Sequence, residues 1–297
     1  MIVVTGATGR TGRATTEALL AKGEKVRVVG RDAKRLAALM ELGAEPFVGK
    51  VEEVASMTEA FSGASSVYLV LPEDLSQEDL RAHQDRVSGS YAAAIGQAQV
   101  RFVVNLSSIG AQHWKGTGPI VGLHNQEQNL NRVLGLNVLH LRAAYFMENL
   151  LMSIEPLRSM GVLPGGLRPD APMPWIATKD IGEYAASRLA SRDFSGSSIQ
   201  ELHGQRDISM EEAASIVGKA IGKPDLAYVY VPSIALEASI LQMGLPKKTA
   251  ELICEMCNGA NEGLIVPQEE RSARNTTPTT LEQFVERVFA PVYLQTI

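Results

Sequence analysis

The run Gly6-Ala7-Thr8-Gly9-Arg10-Thr11-Gly12 stands between an apolar stretch at 2–5 and a helical pattern over 11–21. Glycines in that position let the backbone turn tightly and approach a diphosphate, and the helix N-terminus supplies free N–H groups and partial positive charge. The run over 6–12 is therefore the candidate phosphate loop. A glycine turn alone carries little weight. Here a strand precedes it, a helix follows, and a second apolar run comes at 25–29, the pattern of a βαβ unit.

The alternation continues. Strands are predicted at 44–48, 66–71, 101–106 and 137–142, with helices at 32–42 and 76–99 among them. Asp32 suits the N-cap of the first of these helices, and Ser76 with Asp79 a capping-box-like start to the second. After Arg142 the regularity fails. Residues 160–174 are rich in Gly and Pro and predict a loop, followed by a strand at 175–178, a helix at 180–189 and strands at 199–203 and 228–231. The expected architecture is α/β: a doubly wound parallel sheet of the Rossmann type over 1–150, to which 175–205 return. Residues 151–174 and 206–297 would form a smaller, interleaved C-terminal α/β lobe, with substrate in the cleft between.

Charge and composition narrow the partners. Thirty-three acidic residues against 28 basic ones give a net charge of −5, without the basic excess of a nucleic-acid binder. No apolar run approaches the roughly 18 residues of a membrane span, and no leader is expected, so a cytoplasmic protein is anticipated. The only cysteines, Cys254 and Cys257, form a C-x-x-C between a helical run at 248–253 and a helix stop expected at Asn258-Gly259. That is the wrong end of a helix dipole for a redox thiolate, and packing is the expected role. No metal site is expected.

The end of the second strand bears on which dinucleotide fits. An NAD site usually places an acid there, about twenty residues after the glycines, to bond the ribose 2′-hydroxyl. This chain has Gly30-Arg31, then Lys34 and Arg35 one turn on, a cluster suited to a 2′-phosphate. Asp32 is the competing acid, with capping as its simpler role. Lys34 and Arg35 read equally well as a solvated helix face. NADP(H) is expected in preference to NAD(H).

With VTGATGRTG at the start, VRVVGRD in the second strand and LRAAYFMEN at 141–149, the chain resembles the NmrA-like branch of the atypical short-chain dehydrogenase/reductases. The pattern covers most of the first 190 residues, including TKDIGEYAA around Asp180. The resemblance implies that Gly6, Thr8, Gly9, Arg10, Thr11 and Gly12 cradle the phosphates and that Arg31 meets the adenosine end. It implies too that Leu71 and Pro72 line the ribose path and that Ser107 and Ser108 face the nicotinamide. It also implies that Tyr145 and Phe146 flank nicotinamide and substrate. Lys50 stands where relatives often carry an acid toward the adenine amino group, while Val51 could still pack on that ring.

The Tyr-x-x-x-Lys pair of ordinary short-chain dehydrogenases is missing: Tyr91, Tyr145 and Tyr184 are followed four places on by Ile95, Asn149 and Arg188. Where relatives in this branch often have lysine stands Leu123, beside His124, a candidate proton donor or a plain helix-surface residue. Tyr145 is the other catalytic candidate. Trp114, in a loop at 112–119 with His113, and Trp175 join Tyr145 and Phe146 as candidate substrate contacts. Reduction of a quinone-like or conjugated carbonyl acceptor demands least from such a site, since the cofactor supplies the hydride and water can supply the proton. The other expectation is a non-enzymatic redox sensor that acts through a protein partner.

Overall fold

An all-parallel seven-stranded sheet lies at the centre of the computed structural model, which describes residues 1–295. It contains β1 (Ile2–Val4), β2 (Val26–Gly30), β3 (Glu45–Val48), β4 (Ser66–Leu69), β5 (Phe102–Ser108), β6 (Asn137–Ala143) and β10 (Ser197–Leu202), in the order β3-β2-β1-β4-β5-β6-β10. Helices α1 (Arg10–Ala21), α2 (Ala33–Glu41), α3 (Val54–Phe61), α4 (Leu80–Gln97) and α5 (Ile120–Asn131) join the first six strands, and α7 (Thr178–Ser191) leads into β10. Alternate residues feed opposite faces: Ile2 and Val4 enter one apolar core with Leu19 and Leu36, while Val3 enters the other with Phe61 and Tyr91. The strand order reverses between β1 and β4. The glycine run therefore opens at the switch point, where open α/β sheets bind ligands.

A smaller layer carries a third core. β7 (Tyr145–Phe146), β9 (Met173–Ile176) and β11 (Asp207–Ile208) form one short sheet, and β8 (Leu163–Gly165) pairs with β12 (Tyr228–Tyr230). Around them lie α6 (Ile154–Met160), α8 (Met210–Ala220), α9 (Ser233–Gln242), α10 (Lys247–Asn261) and a helical tail from Leu281 to Leu294. Leu150, Leu157, Trp175, Val217 and Phe289 are among the buried side chains of this core. The segment 262–279 then returns to the main sheet. The buried Glu201 carboxylate accepts from the amides of Gln268 and Glu269, each at 3.0 Å, and Asp180 takes the Thr279 amide at 3.0 Å.

Three local expectations need correction, and a helix is added. Asp79 alone caps α4 by accepting from the Ala82 amide at 3.0 Å, so the helix starts at Leu80 and not at Ser76, which instead turns onto Asp74. The stretch 160–174 holds β8 and the start of β9, because strand pairing with distant β12 and β11 outweighs its Gly and Pro content. Helix α3 had no counterpart in the sequence expectations. Finally, α10 runs through Asn258-Gly259, since Gly259 lets the helix lie against the Gly116 backbone, where a Cβ would overlap its carbonyl. Cys254 and Cys257 are free and buried on that helix, and burial pushes the Cys257 thiol up to about 11. They are packing residues.

Candidate active site

The shape of the glycine loop follows from local geometry. α1 begins at Arg10, directly behind Gly9 as N-cap, and no side chain caps it. An uncapped N-terminus leaves first-turn amides for an anion. A Cβ on Gly12 would overlap the Gly6 carbonyl oxygen, so only glycine lets the helix start this close to the end of β1. Thr8, Gly9 and Arg10 are exposed at the rim, while Thr11 is buried beneath it. These donors fit a dinucleotide pyrophosphate.

Arg31, Lys34 and Arg35 are all exposed at the end of β2 and the first turn of α2. Asp32 is occupied: its carboxylate accepts from the Lys34 amide at 2.8 Å and caps α2. The acid facing Arg31 comes from elsewhere, with Asp74 Oδ2 at 3.9 Å from Arg31 Nη1. Val51 is half-buried against the α3–α4 core, and its neighbour Lys50 pairs with Glu53 at 3.0 Å. Leu71 is buried in that same core, whereas Pro72 is half-buried at the head of the loop that carries Asp74.

At the far end of β5 the two serines part. Ser107 is buried, and its hydroxyl donates to Glu127 Oε1 at 2.6 Å. Glu127, on α5, holds the Arg142 guanidinium of β6 through both oxygens, at 3.0 and 2.7 Å. Ser108 is half-buried and donates to the Ile109 carbonyl. His124 lies one turn before Glu127 with Nδ1 at 2.9 Å from the Ala111 carbonyl oxygen. That contact assigns a proton to Nδ1, which donates to the carbonyl.

Tyr145 and Phe146 sit on β7, beside Trp175 and Ile176 of β9. The Tyr145 and Trp175 rings meet edge to face, centroids 4.7 Å apart. Burial pushes the Tyr145 phenol up to about 12, so it is a neutral hydroxyl and not an activated acid. Trp175 is fully buried, its indole N–H donating to the Ile208 carbonyl at 2.9 Å; it supports Tyr145 from behind. Trp114 is 67% exposed, with the Lys115 ammonium 4.7 Å from its ring centroid. It borders an open groove of about 460 Å³ shared with His113, Gly116, Glu255 and Leu264.

Four charged side chains around the site escaped the sequence reading. Glu127 and Arg142 form a buried ion pair whose one visible signal is a charge inside the apolar strand NVLHLRA. Glu148 of the MEN triplet accepts from the Thr178 amide and hydroxyl, at 3.0 and 2.6 Å, and so caps α7. Asp74 lies in a polar loop with no pattern to mark it.

A model of the NmrA-like family matches residues 1–285. The chain belongs to the NmrA-like family. Among its relatives, quinone oxidoreductase 2 of Escherichia coli is 25% identical, with 97% of this chain and 99% of the relative covered. NAD(P)H azoreductase of Xenophilus azovorans is 25% identical over 86% of each. In three dimensions the fold matches an NADPH complex of the Escherichia coli NADPH-dependent quinone oxidoreductase with a TM-score of 0.83. That match has 22% identity and covers 97% of this chain and 100% of that one. Citrobacter sp. triphenylmethane reductase with NADP(H) follows at 0.77 and 18%, covering 96% and 99%. Among the described residues, no helix is long and apolar enough to cross a membrane and no side-chain cluster could hold a metal ion.

Proposed function

We propose that this NmrA-like chain is an NAD(P)H-dependent reductase that prefers NADPH and reduces a small, conjugated acceptor of quinone type. The observation that carries the reading is the uncapped N-terminus of α1 at the switch point, with the cation Arg31 at the end of β2. The relatives named as quinone oxidoreductase and azoreductase support a reductase over a redox sensor.

Gly6, Thr8, Gly9, Arg10, Thr11 and Gly12 would hold the pyrophosphate, Arg31 with Lys34 and Arg35 the 2′-phosphate, and Val51 the adenine face. Pro72 would line the ribose path with Leu71 packed behind it, and Ser107 and Ser108 would close the far end. The bound nicotinamide supplies the hydride. The protein's own part is then placement. Tyr145 and Phe146 offer aromatic faces to a planar acceptor, Trp175 fixes Tyr145, and Trp114 closes the outer side. A phenol with its proton held this firmly is a hydrogen-bond donor to a carbonyl oxygen, not a source of protons at neutral pH. His124, steered by the Ala111 carbonyl, is the remaining ionisable candidate, and an electron-poor acceptor needs little more.

The test is NADPH oxidation by the purified chain with quinones, azo dyes and enones, each followed to reduced product. Cofactor binding without turnover on any of them would overturn the reductase reading.

A further inference from the structure

The adenosine end of the cleft holds a carboxylate as well as a cation. Asp74 is 24% exposed and faces Arg31, itself 64% exposed, across 3.9 Å. Arg31 is not gripped in a bidentate pair, so its guanidinium fork remains available to a stronger anion. Asp74, by contrast, is fixed. Its Oδ1 accepts from the Ser76 hydroxyl at 2.6 Å and amide at 3.3 Å, and Oδ2 from Gln77 Nε2 at 3.0 Å. The Ser76 hydroxyl first, then Gln77, and Arg31 last, hold the carboxyl below the ordinary range, so it is ionised at neutral pH. The loop behind it is tied to α10: Thr249 donates to the Gln77 carbonyl at 3.3 Å, and Lys248 meets Asp79 at 2.7 Å.

A 2′-phosphate bound to Arg31 would therefore arrive beside a carboxylate that cannot swing far away. It must take the guanidinium from Asp74 and bear like-charge repulsion, costs that a neutral ribose 2′-hydroxyl does not meet. From this juxtaposition we propose that Asp74 is a specificity-determining residue for the dinucleotide. It competes with the 2′-phosphate for Arg31 and holds the preference for NADPH below what Arg31 alone would give. This rests on the NADPH reading above and adds an opposing group to it.

The test is calorimetric titration of the full chain with NADPH and with NADH, for wild type, Asp74→Asn, Arg31→Ala and the double variant. Asp74→Asn keeps an acceptor for Ser76 and removes the charge. NADPH should then bind about threefold tighter or more, with NADH unchanged within about twofold, as expected for a partly exposed charge contact. Asp74→Ser, which also lacks the charge, should behave alike. In the Arg31→Ala background the gain should shrink, because no guanidinium is left to release. Unchanged or weaker NADPH binding in Asp74→Asn overturns the proposal, as does a gain of full size without Arg31. Weaker NADH binding also overturns it, since Asp74 would then be serving the ribose itself. The underlying reading fails separately, if Arg31→Ala leaves the NADPH-to-NADH ratio of wild type intact.

Discussion

Replacing Glu127 by alanine isolates the energetics of the buried pair beneath the β5 terminus. Glu127 and Arg142 have side chains 2% and 9% exposed, joined by two hydrogen bonds, with the Ser107 hydroxyl on the same carboxylate. Removing one partner leaves a guanidinium without a counter-charge in an apolar strand, which costs about 3–5 kcal/mol. Unfolding entropy of about 2.1 cal/mol/K per residue makes each kcal/mol worth about 1.6 °C for a chain of this length. Glu127→Ala should therefore melt about 5–8 °C below wild type in calorimetry or by circular dichroism. Adding Arg142→Met removes the stranded charge and should restore most of that loss, because a buried pair roughly breaks even with apolar residues of similar size. A single variant that melts with wild type, or a double variant no better than the single one, would show that the pair is not the electrostatic unit described here.

Gly12→Ala should weaken NADPH binding by at least about tenfold in a folded protein, by forcing α1 off the Gly6 carbonyl; unchanged affinity by calorimetry would mean the cradle lies elsewhere. His124→Ala should lower turnover at saturating NADPH by about tenfold with little effect on cofactor affinity, whereas full activity across about pH 5 to 8 would make it a helix-surface residue. His140 tests the buried polar network. It accepts from Asn105 through Nδ1 and donates to Asn131 through Nε2, and burial pushes its pKa from 6.5 down to about 4. The unfolded chain takes up that proton first, so the stabilisation is complete above pH 6.5 and is lost as pH falls toward about 4. Denaturant midpoints should fall more steeply over that window in wild type than in His140→Gln, and identical slopes would refute the assignment.

The βαβ start, the glycine turn into α1 and the alternating sheet were written in the sequence, because they depend on near neighbours. A strand buried on both faces must be apolar throughout, a helix opening on glycines must leave its amides bare, and Asp32 need reach only two residues to cap α2. The family pattern in LRAAYFMEN was equally visible, although its reason was not: Glu148 caps a helix that begins thirty residues later. Only the tertiary structure decided what depends on distant partners. It brought β8 to β12, which turned a Gly- and Pro-rich stretch into strand, and it carried α10 past Gly259 onto Gly116. It closed Glu127 onto Arg142 and Ser107, and turned Asp74 toward Arg31 across more than forty residues of chain. Local hydrogen bonds and periodicity are fixed by spacing along the chain. The charge that meets another charge in a cleft is fixed by how the layers pack, and no spacing encodes that.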